Sequence, residues 1–369
     1  MSDDAVKATV AEIALAATWE ERIKRIRLVP QKHGIAEHAE IYATVARVLY
    51  VPNLAPDFAY IHGDDFYDLP YFQQTYDAAI AATNGFTAVT EADLARIIQA
   101  DPRTLLPLRT IMGFTKTEFA HSTTLVAGPL GLAPLSAAKV DSMERKGSTT
   151  NAAQAQVAAK TLVQVLNGAL FGAPPAGVRS KQDKPDTAQG WATVQQFAQR
   201  GVPFATFLHQ RHYGGAFRQV LDATSTRRGD MIEDAVEDLF NAHGVDFIRT
   251  GSTNQGEIAE RFEIHVAPAP DFVVFKKQGG TEVVRAMLEC KTINDGGTAR
   301  DKAPRFKNLR DECTRLGGIP LIGVLGGMAW TRVNDTLGPV IRDTDGRVFS
   351  LSNLDEMLSV SPFPDLVTR

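Results

Sequence analysis

Apolar residues recur at helical spacing through the first fifty positions. Ile13, Trp19, Ile23, Ile26 and Leu28 form one stripe that stops before Pro30. Ile41, Val45, Val48 and Leu49 form a second, so residues 5 to 50 are predicted to be helices. Residues 51 to 82, rich in aromatics, Pro and Asp, predict irregular chain. Short helices are expected over 90 to 122. There LRTIMGFTKTEFAHSTT has the cadence of a helix, a tight turn at Gly113 and a second helix from about Thr115, the outline of a helix-turn-helix. The stretch 150 to 168 predicts a helix, because Ala and Gln favour that state and Val157, Leu162, Val165 and Leu166 supply one apolar face ending at Gly168. Residues 172 to 191 carry Gly, Pro, Lys and Asp with little apolar pattern, as a loop or linker does.

From about residue 216 the texture changes. DMIEDAVEDLFNA (230 to 242) is an amphipathic helix, after which the apolar runs shorten to strand length: VDFI, DFVVF and VVRAMLEC. KKQGG between the last two is a hairpin turn. A helix follows over 305 to 316, with Phe306, Leu309, Cys313 and Leu316 on one face, and then the fully apolar IPLIGVL, suited to a buried strand. The predicted fold is α/β (α+β): a mixed sheet flanked by helices, preceded by a mainly helical domain. The expected divisions are a helical region at 1–171, a linker and connecting segment at 172–215, and the sheet domain at 216–369.

Composition narrows the function classes. Hydrophobic residues make up 44% and charged residues 22% of 369, enough for ordinary cores, and the net charge of -4 leaves nucleic-acid binding to a local basic cleft. Two cysteines, Cys290 and Cys313, exclude a disulfide scaffold and a four-cysteine zinc site. No signal-peptide pattern and no apolar run of membrane-spanning length occur, so a soluble cytoplasmic protein is expected. There is no P-loop, so no nucleotide cofactor is expected, and no G-x-S-x-G.

The chemistry gathers in APDFVVFKKQGGTEVVRAMLECKTIND. Asp271 opens one strand, and Glu289-Cys290-Lys291 closes the next. In a strand, residues two apart share a face, so Glu289 and Lys291 point together and Cys290 points away into packing. Asp271 can approach that face from the neighbouring strand. Two carboxylates brought together repel, and a divalent cation such as Mg²⁺ relieves the cost while polarising a phosphodiester and acidifying a water. An E-x-K at Glu144-Arg145-Lys146, and Pro-Asp at 56–57, 185–186 and 364–365, lack this strand context.

The block resembles the PD-(D/E)XK nuclease core of restriction endonucleases, over roughly the last 150 residues. That family often carries a further acidic residue in a G-x-x-x-E helix before the Pro-Asp strand, and Gly229 to Glu233 match it. The resemblance implies Mg²⁺-dependent hydrolysis of double-stranded DNA by a homodimeric type II restriction enzyme. Asp271, Glu289 and Glu233 would serve the metal and Lys291 the nucleophile or the transition-state charge. A modification-dependent or repair nuclease, or an inactive DNA-binding protein, are the alternatives. Lys302, Arg305, Lys307 and Arg310, with Arg227 and Arg228, are either phosphate contacts or solvated helix faces. His62, Asp64, Asp65 and Asp68 fit turn chemistry, and His209 and His212 a structural role.

Overall fold

The computed structural model describes residues 3–54, 65–172, 176, 184–214 and 225–367. They form an α+β chain of many helices and one five-stranded mixed sheet. No helix among them is long and apolar enough to cross a membrane.

Contacts divide the chain into two units, Met1–His62 with Ala223–Arg369, and Gly63–Asp222. This differs from the expected divisions at 171 and 216. The first unit is built on β1 (Phe247–Arg249), β2 (Phe272–Gln278), β3 (Thr281–Thr292), β4 (Leu321–Gly326) and β5 (Val348–Phe349), in spatial order β1-β2-β3-β4-β5. The β1–β2–β3 meander is antiparallel, whereas β3–β4 and β4–β5 are parallel. The β2–β3 hairpin closes through Gly279 and Gly280, at φ 57° and 87°, the two positive angles that a tight two-residue turn demands. β4 is buried along its whole length, which is why its sequence does not alternate.

Each sheet face has its own apolar cluster. On one, Phe272, Val274, Leu288 and Cys290 gather with Val236 and Phe240 of the helix Ser225–Ala242. On the other, Val273, Met287 and Leu325 join Phe306 and Leu309 of the helix Pro304–Arg315. The N-terminal helices belong to this second cluster through Ile13, Ile26, Ile41 and Val45, alongside Leu337 and Val340. Each such side chain, once buried, contributes about 1.5–3 kcal/mol. Polar ties reinforce the join. Tyr50 Oη donates to the Gly346 carbonyl at 2.8 Å, and Arg27 pairs with Asp345 at 2.7 Å. At Gly346 (φ 80°) a Cβ would lie 2.4 Å from Ile26 Cδ1, so only glycine lets the two segments meet. The helices within residues 3–54 are therefore part of the sheet unit.

The second unit packs helices around Phe86, Leu94, Leu108, Phe119 and Leu162. The expected helix–turn–helix is present as backbone. The helix Leu105–Met112 ends at left-handed Gly113, and Lys116–Leu130 starts from a reciprocal cap between Thr115 and Glu118. Two expectations are corrected. Residues 69–82, read as irregular, form the helix Leu69–Ala82. Pro70 suits its first turn, where no hydrogen bond is lost, while Thr75 and Ala79 turn inward. The connecting segment 172–215 contains the helices Trp191–Arg200 and Phe204–Gly214, and Trp191 and Val194 are buried in the unit's core. His62, Asp64 and the side chains of Arg228 and His212 lie outside what the structure describes.

Candidate active site

β2 and β3 pair with Phe272 opposite Leu288 and Val273 opposite Met287, so Asp271, one residue before β2, falls opposite Glu289. Opposed residues of an antiparallel pair share a face, as do residues two apart. Asp271, Glu289 and Lys291 are thereby brought to one sheet end by backbone register alone. Lys291 Nζ lies 2.9 Å from both Asp271 Oδ2 and Glu289 Oε1. Asp271 Oδ2 also accepts the Cys290 backbone N–H at 2.7 Å. Burial alone would lower the Lys291 ammonium's pKa, but the carboxylates of Glu289 and Asp271 outweigh it and push the value above that of an ordinary lysine. Lys291 is thus a fixed cation with its protons in place. Cys290 faces the opposite apolar cluster, and burial, then the nearby Asp271, hold its thiol protonated.

Glu233 sits half-buried on the helix Ser225–Ala242. Desolvation and then the Asp271 charge raise its carboxyl pKa, against the pull of Arg249 and Lys291. The Asp271 charge is thus felt at Glu233. Among the described residues, however, no three His, Cys, Asp or Glu side chains converge as a metal cage.

Two arginines, not singled out as partners of these acids in the sequence, hold them in place. Arg305 Nε reaches Glu289 Oε1 at 3.2 Å, and its Nη2 donates to the carbonyls of Pro268 and Ala269 at 2.7 and 3.0 Å. It therefore links Glu289, only 2% exposed, to the segment that delivers Asp271. Arg305, offered by the sequence as either a phosphate contact or part of a solvated helix face, thus has its guanidinium bonded to protein acceptors. Arg249, last in β1, clamps Glu233 at 3.1 Å, Asp234 at 2.6 Å and Glu237 at 2.8 Å. The acid spacing 233, 234 and 237 was a visible signal for a cationic partner; the partner's identity was not.

The other basic candidates divide. Lys302 is exposed at the end of the helix Gly296–Lys302, and Arg227 is exposed in the first turn of the Glu233 helix. Lys307 is exposed and pairs with Asp311 at 2.7 Å, one helical turn on. Arg310 turns away to Asp345.

Among the described residues, Asp271, Glu289, Glu233, Asp234 and Glu237 form ion pairs with Lys291, Arg305 and Arg249, five carboxylates against three cations. Oxygen donors with this excess suit a hard divalent ion. Mg²⁺ characteristically takes one or two carboxylates and completes its shell with water and substrate oxygens, so a full protein cage is not needed. Comparisons with protein-family models, curated proteins and solved structures find no match to this chain.

Proposed function

We propose that the protein is a Mg²⁺-dependent nuclease that hydrolyses phosphodiester bonds of double-stranded DNA at Asp271, Glu289 and Lys291. The observation that carries the reading is the 2.9 Å bridge from Lys291 to both carboxylates at one end of β2 and β3. The element order supports it. A helix, the antiparallel strands β1, β2 and β3 with the short helix Gln255–Phe262 between the first two, then the helices Gly296–Lys302 and Pro304–Arg315 and a strand parallel to β3, are in keeping with the order of a restriction-endonuclease-like core.

Asp271 and Glu289 would hold the metal, with Glu233 assisting at one remove. The ion would stabilise charge on the phosphoryl oxygens and acidify water. Lys291, protonated, donates to a phosphate oxygen as negative charge builds there, a role worth about 10²–10³ in rate for a well-aimed donor. Arg305 keeps Glu289 oriented, and Arg249 keeps Glu233 in reach. Lys302, Lys307 and Arg227 remain as candidate phosphate contacts. A type II restriction role, with a homodimer cutting both strands, is the specific form proposed, a modification-dependent or repair nuclease of the same fold being its nearest neighbour.

A second reading, a DNA-binding protein without catalysis, is favoured by the same bridge, since Lys291 and Arg305 already neutralise Glu289. Digestion of unmethylated and methylated phage DNA with Mg²⁺ separates the two. The nuclease reading expects discrete fragments with 5′-phosphate ends from at least one substrate. Binding without cleavage of either would replace it with the second reading.

A further inference from the structure

At the opposite end of β4 from the carboxylates lies a cavity of about 190 Å³, bounded by Arg27, Arg310, Thr314, Leu321, Asp345 and Arg347. Leu321 pairs with Met287 and Leu325 with Lys291, so the two places are four residues apart along the sheet, about 13 Å at strand rise. Three arginines converge on one carboxylate there. Arg27 Nε lies 2.7 Å from Asp345 Oδ2, Arg310 Nη1 2.8 Å from Oδ1, and Arg347 Nη1 3.3 Å from Oδ2. The other acid on the cavity, Asp343, is already matched by a two-pronged bond from Arg342 at 2.7 and 2.9 Å. Among the residues bounding the cavity this leaves two positive charges in excess, with Glu20, outside the lining, adding a further attraction on Arg347.

Arg347 forms part of the wall and is 3% exposed. Its Nε is buried with no hydrogen-bond partner among the described residues. A bare buried N–H costs about 1–3 kcal/mol, more on a charged group. Burial, and then repulsion from Arg27, lower the pKa of the Arg347 guanidinium, against the pull of Asp345 and Glu20. Arg27 and Arg310, roughly half and one-third exposed, leave the cavity open to solvent.

We propose that this cavity is a binding site for a phosphate-class oxyanion. Guanidinium forks match tetrahedral oxyanions, and a phosphate monoester carries about −1.5 to −2 charges at neutral pH, which balances the excess. The ligand would join the N-terminal helix Trp19–Arg27, the helix Pro304–Arg315 and the turn before β5. The site is independent of the cleavage reading and stands or falls without it.

The test is calorimetric titration of the full chain with inorganic phosphate in Mg²⁺-free chloride buffer, alongside thermal unfolding. Saturable binding and a rise in Tm with phosphate are expected. Arg310→Gln should weaken binding about tenfold, or 1.4 kcal/mol, with unchanged circular dichroism. Arg347→Gln should weaken it further, and Arg310→Gln carries the test if that variant does not fold. Competition by a 5′-phosphorylated oligonucleotide, but not by its unphosphorylated twin, would identify a terminal nucleotide phosphate as the source. Absence of such competition would identify the free ion. No saturable binding by wild type, or equal binding by Arg310→Gln, overturns the proposal.

Discussion

The chain contains the same triplet, acid-x-Lys, in two places, and the two behave differently. Glu289 and Lys291 lie in β3, where the period of two brings them to one face at 2.9 Å. Glu144 and Lys146 lie in the helix Ala137–Lys146. Positions two apart in a helix do not face each other. Glu144 is fully buried against Arg109, accepting at 2.5 and 2.8 Å, while Lys146 is exposed. One triplet assembles a charged cluster and the other splits into a core ion pair and a surface lysine. The backbone period decides which, before any chemistry enters.

The contrast yields predictions. The largest effect should come from Lys291→Ala, which is expected to reduce DNA cleavage by about 10²–10³-fold, while Lys146→Ala leaves it unchanged; gel assays of both variants check this. Next, Glu144→Ala strands the buried Arg109 charge and should destabilise its unit by about 3–5 kcal/mol, read from urea unfolding. Arg305→Ala should come third, with about 1–3 kcal/mol lost and about tenfold slower cleavage as Glu289 loses its tether. Arg305→Lys should restore part of the stability but not the two-carbonyl clamp.

The smallest effect concerns acid stability. Burial by itself would raise the Asp345 carboxyl's pKa, but its bonds to Arg27, Arg310 and Arg347 hold it below the ordinary 3.8. A lowered carboxyl stabilises the fold above its unfolded-state pKa, and that share is lost as pH falls through the folded value. The wild-type urea midpoint should therefore drop between about pH 5 and about pH 3 by more than that of Asp345→Asn. Equal drops would remove Asp345 as a source of the acid sensitivity.

What was legible in the sequence follows from the same distinction. β2, β3 and their Gly-Gly turn were readable because short apolar runs joined by a glycine pair are local signals. The helices Ala152–Leu166 and Pro304–Arg315 were readable from a clean 3.6-residue stripe. The helix Leu69–Ala82 was hidden because Pro, Tyr and Phe suggest loop until the burial of Ala79 is seen. Packing of Ile26 and Tyr50 on the sheet unit was also hidden, since partners about three hundred residues away leave no local trace. Of the site, register gave Asp271, Glu289 and Lys291. Arg305 was noticed only as a basic residue, because its role depends on which carbonyls and which acid a distant helix presents to it.

The central claim is that the strand triplet and not the helical one is a metal-dependent hydrolytic site. Supercoiled plasmid incubated with wild type, Lys291→Ala and Lys146→Ala, each in Mg²⁺ and in EDTA, tests it most directly. Cleavage only by wild type and Lys146→Ala, and only with Mg²⁺, is the predicted result. Cleavage by Lys291→Ala at the wild-type rate, or cleavage that persists in EDTA, would contradict it.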